Sequence, residues 1–245
     1  MIQVRGLTKR YADLTAVDGL TFDAQAGEIV GLVGPNGAGK TTTLRCVTGI
    51  IPVTAGTVTI AGHSLQDDPV AAKRAIAFVP DEPQFFEHLT ADEHLQFTAR
   101  LYNVADAGER GDALLRRLEI DGKRGELPAQ LSRGMRQKLA IACALLHRPR
   151  ALLFDEPLTG LDPAGIRRMK ATIRQVAEDG AAVVLSSHLL QLVEELASRI
   201  LVMAHARIVA SGTISDIVAS RPELVGKGLE DVFLALTGTR EDDDA

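Results

Sequence analysis

The sequence has few cysteines, no excess of positive charge and no long apolar run. Its two cysteines, Cys46 and Cys143, lie far apart in apolar helical patterns, which favours a reduced cytosolic protein and excludes a metal framework built on cysteine alone. The formal net charge of −5 argues against a nucleic-acid protein that relies on a broad basic surface. Apolar stretches such as ALLFD and AAVVLSS are far too short to span a bilayer. If the protein works at a membrane, another chain supplies the membrane segment.

The composition that is present, 46% apolar and 24% charged over 245 residues, is typical of a soluble globular protein. Strand patterns occur in IQVRGL, LTFDAQ, EIVGLVG and TVTIAG near the N-terminus, and again in IAFVP, ALLFD and AAVVLSS; RILVMAHARIVASG reads as a hairpin. Helical spacing predicts helices over 91–102, 109–119, 133–147 and about 163–178. Strand–helix alternation on both sides of a helical stretch predicts an α/β core with an inserted helical subdomain.

A glycine-rich segment, GPNGAGKT, follows an apolar strand and precedes a helix. It matches the phosphate-loop pattern in full, and its context is the one that this pattern requires. Glycines let backbone N–H groups curl around phosphate oxygens, and the helix N-terminus adds positive charge. The segment predicts a nucleoside triphosphate site in which Lys40 reaches the outer phosphates and Thr41 offers a hydroxyl to Mg²⁺. The residues assigned to nucleotide binding are Gly34, Pro35, Asn36, Gly37, Ala38, Gly39, Lys40, Thr41 and Thr42.

Two carboxylates follow the strand ALLF, at the end of a strand where ligands of open α/β sheets bind. Asp155 is suited to hold Mg²⁺, directly or through water, and Glu156 to polarise an attacking water. His188 ends another apolar strand, where it either packs or contacts the γ-phosphate. Glu156 and His188 are therefore the predicted catalytic residues.

The segment LSRGMRQK, residues 131–138, begins an apolar helical run. Ser132 and Gly134 suit a helix N-terminus that receives an anion, but the same residues suit a plain helix cap. The segment alone leaves both interpretations open.

Together with Tyr11, the segments FVPDEP, LSRGMRQK, LLFDEP, LTGLDP and SSH occur in an order that resembles the ATP-binding subunit of ABC transporters, from Ile2 to about Gly238. The resemblance implies a P-loop NTPase core of ABC type with an N-terminal antiparallel β region and an inserted α-helical subdomain. The expected domain is 1–238: core 1–84 and 148–219, helical subdomain 85–147 and C-terminal helical extension 220–238. Residues 239–245 form an acidic tail.

The resemblance also implies that two such domains pack head to tail around two ATP molecules and Mg²⁺. LSRGMRQK then corresponds to the signature that faces the other subunit's phosphate loop, through Ser132, Arg133 and Gly134. Arg133 stands where the family usually has glycine, and its guanidinium can pair with phosphate oxygens. Met135 replaces the usual glutamine. Tyr11 matches the aromatic residue on which adenine stacks.

In the same way, Asp162 matches the loop that communicates between the two sites. Asp81 stands where the family commonly has a glutamine that contacts Mg²⁺ and water. A carboxylate can also accept from metal-bound water, so the expected metal ligands are Thr41, Asp81 and Asp155. Gln84 is the alternative candidate for the role that this glutamine has in the family.

The expected partners are a second ATP-binding subunit, of the same or a different chain, and an integral membrane subunit; no nucleic acid is expected. The chain is expected in the cytoplasm, peripheral on the inner face of the membrane. Details such as FVPDEP and LEDVFLALTG look most like the bacterial exporter branch, and PQFFEHLTADEHLQF is the candidate docking segment. Two alternatives stay open: a soluble ABC ATPase that acts on ribosomes or DNA, and a weakly catalytic half of a heterodimer.

Overall fold

The computed structural model describes residues 1–159, 161–188, 190–220 and 229–238. Its strands are β1 (Ile2–Tyr11), β2 (Leu14–Ala24), β3 (Ile29–Val33), β4 (Ala55–Ile60), β5 (His63–Ser64), β6 (Ile76–Val79), β7 (Ala151–Asp155), β8 (Ala182–Ser186), β9 (Arg199–Ala204) and β10 (Arg207–Gly212). Its α-helices are α1 (Lys40–Val47), α2 (Pro69–Arg74), α3 (Ala91–Tyr102), α4 (Ala107–Arg117), α5 (Arg133–Leu146), α6 (Pro163–Glu178), α7 (Leu190–Leu196), α8 (Ile214–Ala219) and α9 (Leu229–Thr237).

The first sheet has the order β2-β1-β4-β5 and is antiparallel throughout. In β1, Ile2, Val4 and Leu7 are fully buried, whereas the residues between Ile2 and Val4 and just after Val4 face solvent. This alternation is what a sheet with one covered face requires. The predicted N-terminal antiparallel region is confirmed.

The second sheet has the order β10-β9-β3-β8-β7-β6, in which β6, β7, β8, β3 and β9 are parallel and β10 pairs antiparallel with β9. Strands β3, β7 and β8 are buried at every position, as expected for strands covered on both faces. Because these three strands are parallel neighbours, their carboxyl ends lie at one edge. Any residue that follows one of them is brought towards the residues that follow the other two.

A helical layer, α3 to α5, lies in sequence between β6 and β7. The three helices contact one another, and Leu95, Leu115 and Leu139 belong to the hydrophobic core that they share with one face of the second sheet. Helix α3 begins at a reciprocal cap in which Thr90 and Glu93 satisfy each other's backbone N–H groups. The inserted helical segment of the prediction is therefore present.

Helices over 91–102 and 163–178 have the predicted bounds, and the hairpin is β9–β10. The helix predicted over 109–119 was wrong by one half-turn, because α4 spans 107–117, and α5 ends at 146. The elements β5, α2, α7 and α8 were not predicted. In the predicted extension, α9 is present, while 221–228 and the tail 239–245 lie outside the described residues. None of the helices within the described ranges is both long and apolar enough to cross a membrane.

Candidate functional site

The phosphate loop connects β3 to α1 and depends on glycine for close backbone approach. Gly37 and Gly39 have φ values of 78° and 100°, in the left-handed region that side chains disfavour. A Cβ atom at Gly39 would lie 2.4 Å from the Ala16 carbonyl oxygen, and one at Gly34 would lie 2.6 Å from that of Met203. Glycine is thus required at these positions by geometry as well as by the motif.

The Lys40 ammonium lies inside this loop. Its Nζ donates to the carbonyl oxygens of Gly34, at 2.6 Å, and Pro35, at 3.1 Å. Burial lowers the pKa of Lys40, while the nearby carboxylates of Glu156 and Asp155 act in the opposite direction. A buried ammonium surrounded by loop backbone is well placed to receive an anion.

Asp155 ends β7 and is held by two hydroxyl groups. Ser186 Oγ, at the end of β8, donates to Asp155 Oδ1 at 2.6 Å, and Thr41 Oγ1, at the start of α1, donates to the same oxygen at 3.1 Å. Ser186 is fully buried and Asp155 nearly so. Ser186 was not predicted as a functional residue, although the strand VVLSSH already places it two positions before His188.

Glu156 adopts a left-handed backbone conformation, with φ of 49°, which is uncommon for a residue other than glycine. Its N–H donates to Ser186 Oγ at 3.2 Å. Its Oε2 lies 2.9 Å from His188 Nδ1, and the His188 backbone N–H is directed at the same oxygen, at 3.4 Å. The strained backbone and these contacts fix the direction of the Glu156 carboxylate.

A cleft of about 410 Å³ lies in front of the phosphate loop. Tyr11, Thr42 and Glu156 all line it, so residues far apart in sequence meet at this cleft. Tyr11 is 45% exposed, and Lys9 Nζ lies 4.7 Å from its ring centroid. The other lining residues near Tyr11 are Leu14, Thr15 and Ala16, and no motif in the sequence marks them.

The segment that begins α5 lies elsewhere and does not line this cleft. Ser132 is the N-cap of α5, and its Oγ accepts from the Met135 N–H at 3.3 Å. A Cβ atom at Gly134 would lie 3.4 Å from Leu161 Cδ2, in ordinary contact. The helix-cap interpretation of LSRGMRQK therefore applies within one chain, and an anion can reach this helix start only from outside the cleft.

Asp81 is engaged by Arg133, whose Nη2 donates to Asp81 Oδ1 at 2.8 Å. Among the described residues, Asp81 neither lines the cleft nor contacts Thr41 or Asp155, and the structure does not bring the three predicted metal ligands together. Gln84 lines a different groove, beside Phe85. A metal contact by Asp81 stays a prediction.

Asp162 caps α6: its Oδ1 accepts from the Gly165 N–H at 2.6 Å. Pro163 follows at the first helical position, where its missing N–H costs no helical hydrogen bond. A local structural role therefore accounts for Asp162 within this chain, and its role between two sites stays a prediction.

The residues at the cleft suit Mg²⁺ only as a partner of phosphate. Within the described ranges, no group of three or more His, Cys, Asp or Glu side chains could hold a metal by itself. Thr41 and Asp155 offer two adjacent oxygen ligands, and Mg²⁺ commonly takes one or two protein oxygens together with substrate phosphates and water. The donor set therefore fits Mg²⁺ that binds with a nucleotide.

Comparison with known proteins agrees with this geometry. Residues 17–159 match the family described as ABC transporter. A solved structure described as the ATP binding subunit of an ABC transporter superposes with a TM-score of 0.91 at 33% identity, covering 96% of this chain and 99% of that one.

Several curated relatives are also named as ATP-binding proteins. The linearmycin resistance ATP-binding protein LnrL of Bacillus subtilis (strain 168) is 32% identical over 96% of this chain and 78% of its own length. The SkfA peptide export ATP-binding protein SkfE of the same organism is 35% identical over 85% of this chain and 87% of its own. The daunorubicin/doxorubicin resistance ATP-binding protein DrrA of Streptomyces peucetius is 35% identical, with 89% and 67% covered.

Proposed function

Because this chain belongs to the ABC transporter family of ATP-binding subunits, which hydrolyse ATP to power transport, we propose that it closes as a dimer on two ATP·Mg²⁺ and drives export through a separate membrane subunit. Each part of this proposal rests on a different feature of the chain.

Hydrolysis is assigned to the residues that surround the cleft. Glu156 accepts a proton from the attacking water, and His188, which contacts Glu156, also reaches the γ-phosphate. Lys40 and the loop N–H groups stabilise the charge that develops on the phosphate oxygens. When bound, Mg²⁺ supplies charge neutralisation at the phosphates; Thr41 and Asp155 would hold it. Tyr11 stacks against the adenine ring.

The observation that carries this assignment is the shared support of Asp155 and Glu156 by Ser186. One hydroxyl donates to Asp155 Oδ1 and accepts from the Glu156 N–H. The metal-holding carboxylate and the water-activating carboxylate are thereby fixed relative to each other before substrate binds, which is the preorganisation that catalysis needs.

Dimerisation is supported by the separation of α5 from the cleft. The start of α5 presents backbone N–H groups and the exposed Arg133, but it does not line the cleft at the phosphate loop of its own chain. A second subunit, of the same or a different chain, would bring its γ-phosphate to Ser132, Arg133 and Gly134. The site would then be completed in trans.

A membrane partner is supported by a groove of about 520 Å³ between the helical layer and the core. Its lining includes Gln84, Phe85 and Tyr102, together with residues 48–50, which follow α1. Ile50 lines it as well and is 56% exposed. A short helix of the membrane subunit would dock here and hold the chain at the inner face of the membrane.

Exposed apolar side chains extend this docking surface. Phe86, Phe97 and Leu101 are 56%, 45% and 60% exposed. The Phe86 and Phe97 rings meet edge to face with centroids 5.2 Å apart. Clustered exposed aromatic residues typically mark an interaction site. The export direction is inferred from the relatives whose names include resistance or peptide export.

The test is ATP hydrolysis by the purified chain, with and without the substitution Glu156→Gln. We expect Mg²⁺-dependent phosphate release that falls at least about 100-fold in the variant, as for loss of a general base. Glu178→Gln removes an exposed carboxylate of the same type and should leave the rate unchanged. Equal rates for Glu156→Gln and the parent chain would reject the assignment of Glu156.

A further inference from the structure

We propose that the chain carries a second anion site, which binds a phosphate-bearing ligand of at least two negative charges in a groove lined by Arg110, Arg117, Arg148 and Arg150. This groove has a volume of about 610 Å³ and lies between α4, the end of α5 and the end of α6. It is separate from the proposed ATP site, and nothing in the proposed function uses it.

The groove lies at the amino ends of β7 and β8, whereas the nucleotide cleft lies at the carboxyl ends of the strands. Arg150 immediately precedes β7 and Ala181 immediately precedes β8, whereas Asp155 and Ser186 end these strands. Five strand residues span about 13 Å, so the length of the strands separates the two sites. A ligand in the arginine groove cannot contact the phosphate loop of the same chain.

Positive charge in the groove exceeds the negative charge that faces it. Among the residues that the structure describes, four arginines line the groove, and Asp179 is the one carboxylate that lines it with them. Asp179 accepts from Gln175 Nε2 at 3.0 Å, and Asp106 lies 3.5 Å from Arg148 Nη2. Counting both carboxylates, two guanidinium charges are left over in a chain whose net charge is −5. Such a local excess attracts multivalent anions.

The individual arginines support a binding role. Arg110 Nη2 donates to the Leu145 carbonyl oxygen at 2.9 Å, which directs the half-buried guanidinium along the groove. Burial and the charge of Arg148 lower the pKa of Arg110, in opposition to Asp106, so a bound anion would relieve the repulsion between the two arginines. Arg117 and Arg150 have no side-chain hydrogen bond or ion pair with any described residue.

The backbone holds Arg150 in place without occupying its side chain. Its N–H donates to the Ala75 carbonyl oxygen at 2.8 Å, and its own carbonyl oxygen accepts from the Ala182 N–H at 2.9 Å. The guanidinium is therefore presented from a fixed position in the sheet. Arginine's planar fork matches phosphate oxygens in pairs, which is why phosphate is the expected chemistry.

The floor of the groove is apolar, with Leu114, Leu145 and Val176 all buried. A phosphate group attached to an organic body would use both the floor and the arginine rim. Two sources share this chemistry: the headgroup of an anionic phospholipid, and a free polyphosphate or nucleotide. The experiment has one arm for each source.

In the first arm, calorimetry follows inorganic pyrophosphate binding to the full chain. The parent should bind two pyrophosphates, one at the phosphate loop and one at the groove, and Arg117→Ala/Arg150→Ala should bind one. In the second arm, the chain is floated with phosphatidylcholine vesicles that contain phosphatidylglycerol or lack it. Flotation should depend on phosphatidylglycerol and fall at least about ten-fold in the same variant if the source is a lipid.

The matched control is Arg74→Ala/Arg116→Ala, which removes the same charge from two exposed arginines that do not line the groove. Loss of either signal in the groove variant alone supports the site and identifies its source. Equal loss in both variants shows a general charge effect and overturns the proposal. A parent that binds one pyrophosphate and does not float with anionic vesicles also overturns it. ATP hydrolysis should be unchanged in both variants, so failure of this proposal is distinguishable from failure of the ATPase assignment.

Discussion

Arg133 Nη2 lies 2.8 Å from Asp81 Oδ1, and this contact joins the start of α5 to the loop that follows β6. Both residues depart from the pattern that the resemblance implies, a glycine at 133 and a glutamine at 81. In this chain the two departures are paired, and each supplies the charge that the other needs. A second link runs parallel to the first, because Gln137 Nε2 donates to the Pro80 carbonyl oxygen at 3.4 Å.

We expect the two positions to be coupled in activity. Arg133→Gly alone leaves the Asp81 carboxylate without its ion-pair partner, whereas Asp81→Gln/Arg133→Gly restores the usual pattern at both positions. The double variant should therefore hydrolyse ATP faster than the single variant. Because the two side chains are 40–45% exposed, the coupling should be about 0.2–1 kcal/mol, or up to about five-fold in kcat/KM. Additive effects in the double-mutant cycle would show that the pairing has no functional role.

Ser186→Ala tests the shared support of the two carboxylates. Removal of the hydroxyl takes the 2.6 Å donor away from Asp155 Oδ1, in a residue that is nearly fully buried. We expect kcat to fall several-fold and the Mg²⁺ concentration for half-maximal rate to rise. The free energy of unfolding should fall by about 1–3 kcal/mol, as for a buried group that loses its partner.

A purely structural role for Ser186 would lower stability and leave the Mg²⁺ dependence unchanged. The control is Ser64→Ala, which removes a serine hydroxyl from β5, the edge strand of the first sheet, outside the site.

The burial of His147 leads us to expect that the stability of the fold depends on pH. Its ring stacks on Tyr102 with centroids 3.8 Å apart, and neither ring nitrogen has a hydrogen-bond partner among the described residues. Burial lowers the pKa of His147 from 6.5 to about 4; the nearby Ile76 backbone, outside hydrogen-bonding geometry, opposes part of this shift. Between these two values the unfolded chain binds more protons than the folded chain. The free energy of unfolding should therefore fall as the pH drops from 6.5 towards 4, by less than about 1.4 kcal/mol per pH unit.

Urea unfolding at pH 7 and pH 5 measures this effect. His147→Phe keeps the stack and removes the titration, so its two unfolding curves should differ less than those of the parent. His205→Asn, which alters an exposed histidine in a left-handed backbone conformation that Asn tolerates, should behave as the parent does. The same pH dependence in His147→Phe would contradict the assignment.

Glu156→Gln should trap the dimer. Light scattering should show a monomer without nucleotide and a dimer with ATP·Mg²⁺, because binding is retained while hydrolysis is blocked. Glu156→Gln/Lys40→Ala should stay monomeric under both conditions. If Glu156→Gln binds ATP and stays monomeric, the α5 start of a second copy does not complete the site, and a different partner subunit becomes the explanation.

Phe86→Ser/Phe97→Ser should release the chain from membranes of its native host. The parent should sediment with the membrane fraction and the variant should stay in the supernatant, with ATP hydrolysis by the purified protein unaffected. Val70→Ser changes an apolar side chain that is 62% exposed but is not part of the Phe86–Phe97 ring pair, and it should sediment as the parent does. Sedimentation of the parent with ribosomes or DNA instead would favour the soluble alternative.

Local signals account for what the sequence could predict. The bounds of α3 and α6 follow from Thr90 with Glu93 and from Asp162 with Pro163, because caps act over three or four residues. The strand end at Asp155, and the strand that precedes His188 by two residues, follow from short apolar runs. Helix α2 was missed although Asp68 and Pro69 form the same kind of cap, since six residues are too few to show a helical period.

The remaining features depend on tertiary contacts. Ser186 meets Asp155 across 31 residues, and Arg133 meets Asp81 across 52 residues. No spacing in the sequence predicts either pair. The first forms only when the order of the sheet is set, and the second only when α5 has packed. The arginine groove is a further case, since two of its four arginines come from α4 and two from the connection between α5 and β7.

The position of β8 has a consequence for synthesis on the ribosome. This strand lies between β3 and β7, yet its residues 182–186 are translated after both. A nascent chain that ends before residue 182 contains the phosphate loop and both carboxylates but lacks the strand that joins them. Nucleotide affinity should therefore arise late and abruptly during translation, and ATP would act as a ligand that stabilises only chains in which β8 has been inserted.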